Sequence, residues 1–492
     1  MRKNALAKST TVQLLKALDA GEFKDFARWL RSSWCSSNQH LITLYRILKK
    51  HYPEFSSERL TKQWLYAEIY PGKAYNDKVC RNLLSELSVQ IREFLVLKRV
   101  RKDPLLFQKT LISEYQNRIK PDWFIKESKK LLDQIEEQQP QNWENRLDCL
   151  VLNEQLYFSP HTLYRQQKNP GPLEAAAQAL EEFYLLGKLR ILNERLERRK
   201  KFAQQEGKKD QQLDTSFLTS EAVNEIVKNP VFNIYYQRIL NRDLSLEMQF
   251  ERSEQLFRST VDQLPDKDQQ ILYHYLLNDT ARLSQKGNTQ ILTRMLDLYK
   301  FGIDQNLLIY DQKITESTFL NIVSLAAGLK DFDFLEQFIP ACLILLPASS
   351  IDDAHTWAKA KVALEQDKYE QCIEILKDYS FQGFVFIYRT RFLLLQAFFE
   401  QFLRDDTYYP FFKSYCRRTE MNMRNEKRLS QARKTAVIKF TQYIRKMAKW
   451  KDDVNATGEQ LDRIVEDLEK ERNIQGKFWL KAKLDQISKK LL

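Results

Sequence analysis

Apolar residues recur at helical spacing from one end of the chain to the other. Phe23, Phe26, Trp29 and Leu30 stand at i, i+3, i+6 and i+7, which is one face of a helix. Leu41, Leu44, Tyr45 and Leu48 repeat the pattern, and Pro53 closes that segment. A short helix is expected from about Ser57 to Tyr70, stopped by Pro71 and Gly72. Asn76 and Asp77 are placed to cap a long helix through Val79, Leu83, Leu84, Leu87, Ile91, Phe94 and Leu95. Leu105–Arg118 and Pro121–Gln134 predict two more. Beyond a break rich in polar residues at 161–172, Pro172 opens a helix through Leu180, Tyr184 and Leu192. Val437, Phe440, Ile444 and Met447 mark a further apolar face near the C-terminus.

These patterns predict four segments. Residues 1–135 form an N-terminal helical bundle, and 136–220 a helical connector with a mobile basic loop at 206–212. Residues 221–415 hold closely spaced helices, and 416–492 basic and then acidic C-terminal helices.

Within the third segment the pattern repeats. Phe319, Ile322, Val323 and Ala326 line one helix, Lys330 and Asp331 turn, and Phe332 opens the next, which runs through Leu335, Ile339 and Cys342 to Pro347. Ala360 and Ala363 line a second such helix, Asp367 and Lys368 turn, and Tyr369 opens its partner, followed by Cys372, Leu376 and Tyr379. Phe332 and Tyr369 are 37 positions apart. A weaker third unit runs from Phe392 to Tyr415. Small residues at the helix crossing, an aromatic opening the second helix and a closing proline resemble tetratricopeptide and related helical-repeat proteins. The resemblance covers about residues 290–415, lacks most of the glycine and tryptophan marks, and has a repeat longer than 34. It implies an all-α fold, an elongated array of antiparallel helix pairs forming a tetratricopeptide-like α-solenoid, and a groove for peptides or partner proteins. The whole chain also resembles uncharacterised helical proteins of Bacteroidota bacteria, through YPGKAYNDKVCRNLLSEL at 70–87 and TFLNIV at 318–323. That family brings no function with it.

Composition narrows the chemistry. Only 11 of 492 residues are glycine and 13 proline, which disfavours sheets, barrels and phosphate-binding loops that need glycine at positive φ. The six cysteines (Cys35, Cys80, Cys149, Cys342, Cys372 and Cys416) are widely spaced with no C-x-x-C, as expected of buried thiols in a reducing compartment. No His pair has metal-ligand spacing, and serine-hydrolase and nucleotide fingerprints are missing. No catalytic residue, metal or cofactor is expected, and His274 is expected to be packed or hydrogen-bonded. No apolar run reaches about 18 residues, so a cytoplasmic protein without a membrane span is expected.

The net charge is +13. Between Arg417 and Lys451 twelve cations face only Glu420 and Glu426. On a continuous helix Arg424, Lys427, Arg428 and Lys434 would share one broad face. With Arg433, this is the candidate surface for an anionic partner, unless the cations are solvated or paired with the acidic stretch 459–471. Lys78 and Arg81 are a second candidate, because residues 38–97 have the helix spacing of a helix-turn-helix without its wing strands. Among the cations of 417–451, Tyr443 and Trp450, beside Phe440, are the aromatics offered to nucleic-acid bases. Tyr369, Tyr388, Arg389 and Phe398 are the candidate partner-groove positions. The expected role is a non-catalytic interaction or scaffold protein with a protein partner; the alternative is a nucleic-acid-binding regulator.

Overall fold

The computed structural model describes residues 6–32, 34, 38–137, 142–159, 169–202, 215–219, 221–284, 289–310, 312–453, 455–471 and 473–489. Cys35, His161 and the 206–212 segment lie outside them. The fold is all-α, as the periodicity predicts: no strand occurs among the described residues, and one isolated bridge joins Tyr310 to Lys313. The chain divides into two compact units, Met1–Gln139 with Glu144–Leu180, and Pro140–Trp143 with Glu181–Leu492.

The first unit contains α1 (Thr10–Lys16), α2 (Ala20–Trp29), α3 (Gln39–Lys49), α4 (Lys62–Ile69), α5 (Asp77–Lys102), α6 (Pro104–Asn117), α7 (Pro121–Glu137) and most of α8 (Trp143–Phe158). Local chemistry sets the helix starts. Asp19 and Glu22 form a capping box on α2, and the Asn76 side chain accepts from Val79 N–H to start α5. Asp103 caps α6, with Pro104 in its first turn. The expected helix from Ser57 starts later, at Lys62, because Thr61 supplies the cap. Phe26, Leu44, Leu48, Leu87 and Ile91 are fully buried, and burial of each such side chain contributes about 1.5–3 kcal/mol.

The second unit takes up α9 (Gly171–Phe202) from Glu181 onward. It continues with α10 (Glu221–Ile226), α11 (Pro230–Leu240), α12 (Leu246–Thr260), α13 (Asp266–Ser284), α14 (Thr289–Asp304), α15 (Glu316–Gly328), α16 (Phe332–Leu343), α17 (Ile351–Glu365), α18 (Tyr369–Lys377), α19 (Phe384–Arg404), α20 (Tyr409–Asn425), α21 (Gln431–Asp452), α22 (Gly458–Lys470) and α23 (Lys477–Lys489). Two turns in it are built alike. After α15, Lys330 takes φ 60° and Asp331 N–H bonds Ala326 O at 2.9 Å. After α17, Asp367 takes φ 62° and Lys368 N–H bonds Ala363 O at 2.9 Å. Both close the helix with a left-handed residue and a backward bond to its last turn. Phe319, Ile322, Val323, Ala326, Ala360 and Cys372 are fully buried.

Some apolar positions do not fall in the core. Val79, Leu180 and Tyr184 are exposed, and Ala176, Ala179, Leu186, Leu189 and Leu192 make the buried face of α9 instead. In α21, Val437, Phe440, Ile444 and Met447 are buried as expected.

Candidate functional site

Four helices of the second unit meet around Arg389. From α19, its Nη2 donates to Asn321 Oδ1 on α15 at 2.6 Å. Tyr299 on α14 lies beside both Asn321 and Arg389. Beside Arg389, the Tyr388 hydroxyl donates to Gln475 Oε1, and Gln475 N–H bonds Ala436 O in α21 at 3.3 Å. Arg389 is half-buried, and among the described residues no carboxylate lies within 4.0 Å of it. Burial disfavours its charge, and nearby Arg433 adds to that effect. Burial also raises the Tyr388 hydroxyl, while Arg433 and Arg389 oppose the rise.

The basic stretch around this point is not one helix. Arg424 ends α20, Lys427 and Arg428 lie in the turn, and Arg433 and Lys434 stand in the first turn of α21. The expected continuous face is therefore broken. Ser430 caps the new helix through the Arg433 N–H, and Leu429 is buried between the two helices. Arg428 is held by Glu426 at 2.9 Å and lies 3.9 Å over the Phe384 ring. Its hydrogen bonds push Glu426 down to about 2. Other cations of the segment pair as well: Lys439 with Glu471 at 2.5 Å, Lys446 with Asp467 at 3.5 Å and Arg445 with Glu420 at 3.0 Å. Arg424, Lys427, Arg433 and Lys434 have no carboxylate within 4.0 Å among the described residues. Arg433 and Lys434 occupy the positive end of a 22-residue helix, where the macrodipole favours acids instead. The result is a concentration of uncompensated positive charge beside Arg389.

Tyr388, Arg389 and Arg433 are thus brought together from both candidate sets. Phe398 is instead packed on Tyr415 at 5.2 Å, as part of the core. Tyr369 faces another cavity, of ≈ 620 Å³, with Glu400, Arg404, Trp450, Lys451 and Lys483 in its wall. Its hydroxyl donates to Asp367 at 2.6 Å, and Arg404 stacks on its ring at 4.3 Å. Glu400 is 5% exposed and pairs with Lys483 at 2.6 Å; burial still outweighs the pair and raises its carboxyl. A lone carboxylate inside the apolar run FLLLQAFFEQFL was the sequence signal for this buried pair.

Lys78 and Arg81 are exposed on α5 in the first unit. Arg81 pairs with Asp77 at 2.8 Å, which also accepts from the Tyr75 hydroxyl at 2.7 Å. The connection from α4 to α5 runs from Tyr70 to Asn76, and α6 follows α5 directly after Asp103. His274 is hydrogen-bonded to the Tyr310 hydroxyl at 2.5 Å, as expected.

Compared with protein-family models, curated proteins and solved structures, the chain matches none of them.

Proposed function

We propose that this chain is a non-catalytic binding protein that captures an acidic segment of a partner protein on the face formed by Arg389, Arg433 and the turn between α20 and α21. The observation that carries this reading is Arg389, a half-buried guanidinium with a neutral amide for its partner and a second arginine beside it. Burying a charge is costly unless it is paired, and a carboxylate from outside supplies the missing pair. Tyr443 and Trp450, the aromatics available for base stacking, are 6% and 9% exposed, which favours an acidic peptide over single-stranded nucleic acid. The two similarly built turns at Lys330 and Asp367 support a repeat array like that of tetratricopeptide proteins. The described cysteines are free and buried, in keeping with a reducing compartment such as a bacterial cytoplasm.

The test is fluorescence anisotropy of the full chain with a labelled oligoglutamate of about ten residues and with a DNA oligonucleotide of equal charge. The reading expects saturable peptide binding that falls at least tenfold in the charge-reversed variant R424E/K427E/R433E/K434E. Tighter binding of the DNA, lost in the same variant, would replace it with the nucleic-acid reading. Binding of neither probe would overturn both.

A further inference from the structure

Away from that face, the second unit holds a buried charge centre on α9, α11 and α13. Glu197 and Asp279 are 7% and 1% exposed. Arg238 Nη2 lies 3.0 Å from Glu197 Oε1 and 3.5 Å from Asp279 Oδ2. Arg282 Nη2 lies 2.7 Å from Glu197 Oε2 and pairs with Asp279 as well. Lys200 Nζ approaches the same two carboxylates at 3.3 and 3.8 Å. Three cations therefore share two acids. The side chain of Arg238 is only 7% exposed, and the buried Nε atoms of Arg238 and Arg282 have no hydrogen-bond acceptor among the described residues.

A pocket of ≈ 210 Å³ opens beside this centre, between α9, the end of α11 and α12. Among the described residues, Arg199, Lys200, Arg238 and Arg242 stand in its wall, together with the carboxylate of Glu197. Arg242 has a weak partner, Asp243 at 3.6 Å, which is 86% exposed. The wall is held in place by neutral groups. Gln249 Nε2 donates to the carbonyls of Arg242 at 2.9 Å and Leu244 at 2.7 Å, and its Oε1 accepts from Lys200 at 2.9 Å. Asn241 Oδ1 accepts from Arg252 at 2.9 Å. A network serving only to lock three helices together has no use for cations in excess, since each uncompensated buried charge costs stability. A small dianion would offset that excess.

We propose that this pocket binds a phosphate-type oxyanion, either inorganic phosphate or the phosphate group of a small phosphomonoester. Guanidinium forks match phosphate oxygens in geometry and charge, and the volume takes the group with room for a few further atoms. The proposal stands independently of the acidic-segment reading, because it uses none of the same residues.

The experiment measures thermal unfolding and calorimetric binding of the full chain with inorganic phosphate, with glycerol 3-phosphate, and with chloride at equal ionic strength. Both phosphates are expected to stabilise saturably beyond chloride. At ten times the Kd the folded-to-unfolded ratio rises about 11-fold. R199Q/R242Q changes two side chains outside the buried ion-pair centre and is expected to lose at least about tenfold in affinity, while K359Q, at an exposed lysine of α17, binds unchanged. Tighter binding of glycerol 3-phosphate assigns the site to a phosphorylated small molecule, and tighter or equal binding of inorganic phosphate assigns it to the free ion. A shift no larger than that of chloride, or unchanged affinity in R199Q/R242Q, overturns the proposal.

Discussion

A Cβ placed on Gly302 would stand 2.1 Å from the hydroxyl oxygen of Tyr273 and 2.4 Å from its Cζ. The ring is fully buried, and its hydroxyl donates to Leu298 O at 2.9 Å, so it has no free direction in which to yield. Two effects of Gly302→Ala oppose each other. Helix propensity favours alanine by about 1 kcal/mol, and overpacking a buried contact costs about 1–3 kcal/mol. The closeness of the contact makes overpacking the larger. G302A is expected to destabilise the protein by about 1–2 kcal/mol, read as a lower urea midpoint. A higher midpoint would mean that the ring moves more freely than its hydrogen bond implies.

The physical reach of a periodic pattern explains what the sequence made legible. The faces of α2, α3 and α21 could be read because a helix in a core must bury a stripe, and Phe26, Leu44 and Phe440 lie on those stripes. Val79, Leu180 and Tyr184 fit the spacing as well, yet spacing says nothing about whether a neighbour covers them. The expected single basic face failed at Ser430, whose capping bond outweighs the continuity of charge on either side. At the candidate site Arg389 and Arg433 were legible as residue types. Asn321 and Gln475 were not, because they lie 68 positions from Arg389 and 87 from Tyr388 and meet them only through tertiary packing.

Asp353 supports the start of α19, the helix that carries Arg389. It is 2% exposed, and its Oδ2 accepts from the N–H groups of Gln382 at 2.9 Å and Gly383 at 2.7 Å. Its Oδ1 accepts from the Tyr379 hydroxyl at 3.1 Å. Asp353→Ala leaves those donors without their acceptor, at about 1–3 kcal/mol for each that water does not reach. D353A is expected to lose about 2–4 kcal/mol in urea unfolding. A loss below about 0.5 kcal/mol, the level of an ordinary surface change, would show that solvent replaces the carboxylate.

The buried charge centre makes stability depend on acid. Burial alone would raise the Glu197 carboxyl, but Arg238, Lys200 and Arg282 together reverse this and hold it below its ordinary value of 4.5. The unfolded chain therefore takes up a proton first as pH falls. The stabilisation from Glu197 is fully present above about pH 5 and is lost as pH drops through 4.5 toward the depressed folded value. Glu197→Gln leaves Arg238 poorly paired, so E197Q is expected to be about 3–5 kcal/mol less stable at pH 7. The gap should narrow between pH 5 and pH 3. Urea titrations of both proteins across that range measure it, and parallel curves would remove Glu197 from the acid response.

Arg389 separates binding from stability. If it is kept for a partner, the free protein holds an uncompensated, half-buried charge, and removing that charge should strengthen the fold. Arg389→Met keeps much of the volume and gives up the bond to Asn321, whose exposed amide water can satisfy instead. Losing that hydrogen bond costs about 1–2 kcal/mol, whereas replacing a poorly compensated buried charge by an apolar group is often neutral or stabilising by about 1–4 kcal/mol. R389M is therefore expected to be as stable as the wild type or up to about 2 kcal/mol more so, while its affinity for oligoglutamate falls at least tenfold. That divergence is the mark of a residue retained for function at a cost to the fold. A variant that is less stable and still binds the peptide would make Arg389 a structural bridge between α15 and α19, and would move the binding face to the α20–α21 turn alone.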